Sequence, residues 1–484
     1  MNADLNRDSR PSQAATVCWI VGLTIAFLSL SGSGSGEIAA KAALIVGVTL
    51  LAAIALEAWQ DWRAVLRPDI VALCALYYLT FFEFLLPQPG VDQMISSRSI
   101  SYGCQLVFIA FGTMVVARHW APPVQSWLGS LMQRQASGKS LLLIFWLSFF
   151  FGYLYMLVAV NFDIGMMFDR MLEPRFAQPW GRGRFGDWKA LLVELGAIVN
   201  LVPPLGGLIL ARREKYGLAG YVPVIFGLLF CLFEGFTSCT RNVLATYLIT
   251  FLIGYGVNLT KKRVAEFLIL CCLAAIGFYQ ASSIMLETRT IGLREYLNNK
   301  HAPAPVEDEP RTFFVDYNLL NIGQLTQQFP SAHSFLGWEV PFVAAIHPIP
   351  RAIWPGKPMG LSVSIESALG DEDDSTTLSA TFVGESYIAG GVFGVALAGI
   401  FFGILTGWWG RFGSAISSEF GFLIYASGFF AIAISMRSLF WLTTNALPTI
   451  AAIILARIFL GNPKRATVGS GNSTTDLGTR PEVV

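Results

Sequence analysis

Apolar runs of about 17 to 25 residues recur from one end of this chain to the other, each long enough to cross the hydrocarbon layer of a bilayer at 1.5 Å of rise per residue. A run of that length satisfies its own backbone hydrogen bonds as a helix. The mean hydropathy of +0.56 over 484 residues lies far above that of a soluble domain. The fold class is therefore all-α integral membrane, a polytopic helical bundle. Twelve spans are expected, near 15–31, 38–58, 69–87, 100–117, 140–160, 189–211, 218–236, 241–259, 264–281, 380–406, 420–436 and 441–460.

Short connections set the orientation. Arg63 and Arg67, then Arg118, Arg134 and Lys139, then Arg212, Arg213 and Lys215, then Lys261, Lys262 and Arg263, then Lys464 and Arg465 alternate with connections poor in cations. By the positive-inside rule both termini are expected to be cytoplasmic. The polar start MNADLNRDSRPSQ leads into a first span with no cleavage signature behind it, so that span is expected to be retained. The chain divides into 1–281 with nine spans, a large outer loop 282–379, spans 10 to 12 over 380–460, and a tail 461–484 whose Gly, Ser and Thr content predicts cytoplasmic disorder.

The cations are scattered over many loops with no basic arm or zinc-finger spacing, so no nucleic-acid partner is expected. The seven cysteines form no CxxC pair and sit mostly in apolar runs, so they read as small apolar residues. SGSGSG at 31–36 follows no strand and reads as a flexible outer turn. DEDD at 371–374 lacks the alternate spacing of a calcium loop and reads as a solvated acidic turn; no metal and no cofactor are expected. His301, His333 and His347 read as structural or solvated loop residues.

Two outer connections are long, 161–188 and 282–379, and long loops in a compact protein carry function. The first holds Arg170, Arg175, Arg182 and Arg184; the second holds Arg289, Arg294, Lys300, Arg311, Arg351 and Lys357. Between 282 and 379 twelve carboxylates face six cations, so any anion site needs the cations segregated in space. Guanidinium forks match diphosphate oxygens, and convergence of several arginines on a diphosphate is the expectation. Pairing with loop carboxylates or lipid headgroups is the plainer alternative for each one. Glu83, Glu194, Glu234, Arg241, Glu385 and Arg437 fall at the outer ends of spans, where they would ring a vestibule or pair locally, Glu234 with Arg241 for instance. In 311–329, Phe314, Leu319, Ile322 and Leu325 share a helical face suited to lying in the outer interface.

PIPRAIWPGKP at 348–358 stiffens a segment carrying Arg351, Trp354 and Lys357, and TFVGESYIAGGVFGVALAG at 381–399 follows. The run Ile-Pro-Arg, Trp-Pro, Lys-Pro, then Gly384, Glu385, Tyr387 and a glycine-rich helix start, resembles the O-antigen and oligosaccharide repeat-unit polymerases of the Wzy type. The layout of many spans with two large outer loops does so too. The resemblance implies a metal-independent glycosyltransferase of the C-type fold that joins repeat units carried on undecaprenyl diphosphate at the outer face, making O-antigen, capsule or exopolysaccharide. It also implies a flippase and a chain-length regulator as partners, besides the membrane lipids. On that footing Arg351, Glu385 and Asp316 are candidate catalytic residues, with Glu339 a further carboxylate to consider. Arg170, Arg175, Arg182, Arg289, Arg294, Lys357, Trp354, Tyr387, Arg241 and Arg437 are candidate substrate-binding residues. An O-antigen ligase is the first alternative and a polysaccharide or lipid-linked sugar transporter the second.

Overall fold

The computed structural model describes residues 10–86, 88, 90–132, 138–180, 189–256, 263–299, 316–349, 351, 353–358, 360–370, 378–415 and 418–459. Every regular element among them is helical. Seven helices are long and apolar enough to cross a membrane: Ser35–Gln60, Ser97–Trp120, Gly138–Ala159, Leu191–Ala211, Arg213–Thr237, Val264–Ile291 and Thr381–Gly413. The other five expected spans coincide with helices that fall short of that standard, such as the 13-residue Pro68–Thr80 and the 16-residue Gln13–Leu28. Thirteen residues rise only about 20 Å.

Local chemistry sets several starts. The hydroxyls of Ser12, Ser96 and Ser418 accept the N–H of Ala15, Ser99 and Gly421, and Pro68 opens its helix where no N–H is needed. Between helices, small residues let backbones meet. Gly399, Gly403 and Gly407, four apart on the helix Thr381–Ala415, lie against the backbone of Ala110, Met114 and Arg118 on the helix Ser97–Ala117 and its extension; a side chain at any of them would collide.

One end of the bundle is locked by charge. Arg67 grips Asp69 with two donors at 3.0 and 2.5 Å and reaches Glu57 at 3.1 Å. Arg118, 1% exposed, contacts Asp69 at 2.9 Å and Glu57 at 3.1 Å. Glu57 also accepts the N–H of Ser12 on both oxygens, which fixes the chain entering the first helix. Two arginines that the sequence pattern uses only to set orientation are therefore buried in a balanced quartet.

At the other end the helix Thr381–Ala415 is interrupted. Gly390 and Gly391 leave helical geometry, Gly391 with φ +61°. The freed carbonyls of Ile388 and Ala389 accept the N–H groups of Leu336 and Gly337 at 3.0 and 2.9 Å, so the break is closed by a neighbouring segment. The helix Val264–Ile291 runs about ten residues past its expected end at 281, with Ser282, Met285 and Thr288 buried on one face. The segment expected in the interface behaves differently. Its helix, Asn318–Gln328, buries Leu319, Ile322 and Leu325 completely against protein, with Gly323 in close approach to Gly103. Asn318, Asn321 and Gln327 bond to Leu79, Ser379 and Ser99. Those amides would have no such partners in lipid, so the helix is a buried wedge; Phe314 lies outside the described residues.

Candidate functional site

Four segments far apart in sequence each deliver an arginine to this second end. Arg241 opens the helix Arg241–Gly256 directly after a tight turn in which Cys239 takes φ +51°. Arg289 stands in the last turn of Val264–Ile291, where the helix dipole favours a cation. Arg437 sits in the turn between the helices Glu419–Ser435 and Phe440–Phe459, and Arg175 in the loop after the short helix Ile164–Met171. Asp316 joins them from just ahead of the buried wedge.

Asp316 is bound on both oxygens, Oδ1 by Arg241 at 2.7 Å and Oδ2 by Arg437 at 3.3 Å. The Arg175 N–H donates to the Arg289 carbonyl at 3.4 Å, and both guanidiniums lie against the ring of Phe176, 5.5 and 5.8 Å from its centre. Burial, then the charges of Arg289 and Arg437, push the Arg175 guanidinium down to about 10. Burial likewise pulls Arg437 below the usual arginine range; Asp316 opposes that, while Arg241 and Arg289 add to it. Among the described residues the Arg437 Nε is buried with no hydrogen-bond partner. Arg241 and Arg437 thus grip one carboxylate while Arg175 and Arg289 gather at Phe176 within electrostatic reach of Arg437, an arrangement that favours an added anion with several oxygens.

Neutral side chains hold the arginines in place. The Gln178 amide donates to the carbonyls of Met171 and Thr237, both at 3.3 Å, and its oxygen accepts from the Trp180 indole, knotting the loop of Arg175 to the turn before Arg241. Cys239 and Thr288 meet at 3.5 Å, joining that turn to the helix of Arg289. Glu385 Oε2 accepts the N–H of Leu439 at 2.6 Å, fixing the turn of Arg437. Gln178, Cys239 and Thr288 escape sequence reasoning, because a neutral polar residue gains this kind of role only through tertiary contact.

The other expected site residues lie apart from this group or are engaged elsewhere. Arg351 is exposed and donates to the Pro358 carbonyl at 3.1 Å, inside its own loop. Lys357 donates to the carbonyls of His347 and Ile349 at 2.7 and 2.9 Å, so both cations close the proline-rich segment on itself. Trp354 is part-exposed on the same segment. Tyr387 is buried and gives its hydroxyl to the Phe329 carbonyl at 3.0 Å. Arg170 and Arg294 are exposed and pair with Glu173 at 2.7 Å and Asp169 at 2.6 Å, the plainer alternative for loop arginines. Arg182, Arg184, Lys300, Arg311, His301 and the DEDD run lie outside the described residues.

Of the six ionisable residues at span ends, Arg241, Arg437 and Glu385 come together, and the buried Glu83 lies with Arg241 and Asp316 around Tyr78. Arg241 bonds Asp316, and Glu234 has Tyr247 as a hydrogen-bond partner. Glu339 is taken up by the N–H and hydroxyl of Ser362. Among the described residues no three His, Cys, Asp or Glu side chains group as metal ligands. No protein-family model, curated protein or solved structure matches this chain.

Proposed function

We propose that this membrane protein is a glycosyltransferase that polymerises oligosaccharide repeat units carried on undecaprenyl diphosphate, and that Arg175, Arg241, Arg289 and Arg437 bind the diphosphate. What supports this reading is the meeting of Arg241 and Arg437, from separate segments, on the Asp316 carboxylate, with Arg175 and Arg289 close enough to Arg437 for their charges to repel it. In the reaction the bond from the anomeric carbon to the diphosphate oxygen breaks and its electron pair leaves with the diphosphate. An acceptor hydroxyl oxygen bonds the anomeric carbon, and its proton passes to the departing diphosphate or to solvent. Charge develops on the leaving diphosphate, and fixed guanidiniums neutralise it without having to reorganise. Arg351 shapes the neighbouring loop in this scheme, and Glu385 positions Arg437.

A transporter is the second reading, favoured by the interrupted helix at Gly390 and Gly391. Against it, the freed carbonyls there are bonded to Leu336 and Gly337 and are not left open to a cargo ion. Purified protein in vesicles, supplied with a short lipid-diphosphate oligosaccharide, decides between the two. Longer lipid-linked glycan with release of polyprenyl diphosphate supports polymerisation; passage of the unaltered substrate to the other leaflet supports transport.

A further inference from the structure

The carboxylate of Asp316 presents one oxygen to Arg241 and the other to Arg437, which is how an O–P–O edge of a phosphate would meet the same two forks. It is also reachable, with a side chain 21% exposed. The backbone beneath it is strained: Asp316 and Tyr317 are consecutive non-glycine residues at φ +58° and +45°. A side chain in the left-handed region crowds its own backbone, and such conformers persist only where surrounding contacts hold them.

We propose that Asp316 is a built-in occupant of the anion site, displaced when one phosphate of a diphosphate ligand takes its place between Arg241 and Arg437. This rests on the diphosphate reading above and gives Asp316 a gating role in place of a reacting one. The exchange is favoured by charge and by donor count. A diphosphate carries more negative charge and more acceptor oxygens than one carboxylate, and it can satisfy the Arg437 Nε that has no partner in the Asp316-bound state. Arg175 and Arg289, both against the ring of Phe176, remain for the second phosphate. Release of Asp316 lets residues 316 and 317 leave the left-handed region, so the strain they hold assists ligand entry. Before ligand arrives, the carboxylate keeps like charges from repelling one another across the site.

The probe is inorganic pyrophosphate, titrated against the purified full chain in detergent. Removing a competitor raises affinity by the reciprocal of the fraction of sites it had left open, so with Asp316 in place in about nine molecules in ten, Asp316→Asn is expected to bind about tenfold more tightly than wild type. Asp169→Asn, which also removes one negative charge but from the exposed Arg294 pair, controls for net charge and should stay within about twofold. In wild type, backbone hydrogen exchange at Tyr317 and Asn318 should rise on adding pyrophosphate, a readout available even if the Asp316 variant fails to fold. Equal or weaker binding by Asp316→Asn, or unchanged or slower exchange at 317–318 while wild type binds, overturns the displacement and leaves the diphosphate reading standing. No binding of pyrophosphate or of polyprenyl diphosphate by either protein overturns both.

Discussion

Glu385 accepts the N–H of Leu439 across 54 positions of sequence, and through that bond the helix Thr381–Ala415 holds the turn that carries Arg437. A buried acceptor of this kind contributes through the donor it satisfies. Glu385→Ala should lower stability by about 1–3 kcal/mol, seen as a drop in unfolding temperature in detergent, and turnover should fall with it. Glu385→Gln keeps an acceptor oxygen and should retain most of both. Abolished turnover in a Glu385→Gln protein that melts normally would instead mark Glu385 as the general base.

Arg175 is held at a cost to the fold. Its folded pKa, about 10, lies below the ordinary arginine value of 12.5, because burial and the neighbouring cations disfavour its charged form. The sign follows from proton linkage: below about 10 the charge is present and destabilising, and the penalty shrinks as pH rises from there toward 12.5. Arg175→Gln should therefore raise the unfolding temperature at neutral pH while weakening pyrophosphate binding. A variant that melts lower and binds as wild type does would show that Arg175 serves the fold and not the anion.

The quartet at the other end makes the opposite prediction. Arg118→Ala would leave Glu57 and Asp69 short of a buried partner and should cost about 3–5 kcal/mol, read as loss of folded protein in the membrane. Whatever folded protein is recovered should bind pyrophosphate with unchanged affinity. Normal abundance with weakened binding would mean that the two ends of the bundle are coupled.

Orientation is testable with single cysteines at positions 170, 213 and 351 in a background lacking the native thiols. An impermeant reagent applied to intact cells should label positions 170 and 351 but not 213, placing the arginine cluster on the outer side. The reverse pattern would put the cluster in the cytoplasm, away from any outer-leaflet glycan.

Much of the bundle was legible because a long apolar run has one low-energy solution in lipid, and the helices at 35–60 and 138–159 and the first part of 264–291 follow from that alone. Shorter helices such as Pro68–Thr80 read as full spans, because flanking apolar residues that pack on protein look like residues that face lipid. The same ambiguity misplaced the helix Asn318–Gln328, whose periodicity reveals a buried face but not what covers it. The stripe of Gly399, Gly403 and Gly407 is plain in the sequence, yet its partner helix is not. Arg241 and Arg437 stood out as charges at the ends of apolar runs, where charge is expensive. Arg351 drew attention through the stiffness of its prolines, but stiffness does not say where a guanidinium points, and this one closes on Pro358.

Stabilisation of a departing diphosphate by the arginine cluster is tested by the turnover of Arg437→Lys in vesicles supplied with a short polyprenyl-diphosphate oligosaccharide. Lysine keeps the charge but loses the two-pronged fork. The rate of glycan lengthening should fall on the order of 10²-fold at unchanged protein level, the scale of removing one preorganised donor, while Arg351→Ala stays within about tenfold of wild type. Near-normal lengthening by Arg437→Lys, together with loss of activity in Arg351→Ala, would contradict the account and return the chemistry to the proline-rich loop.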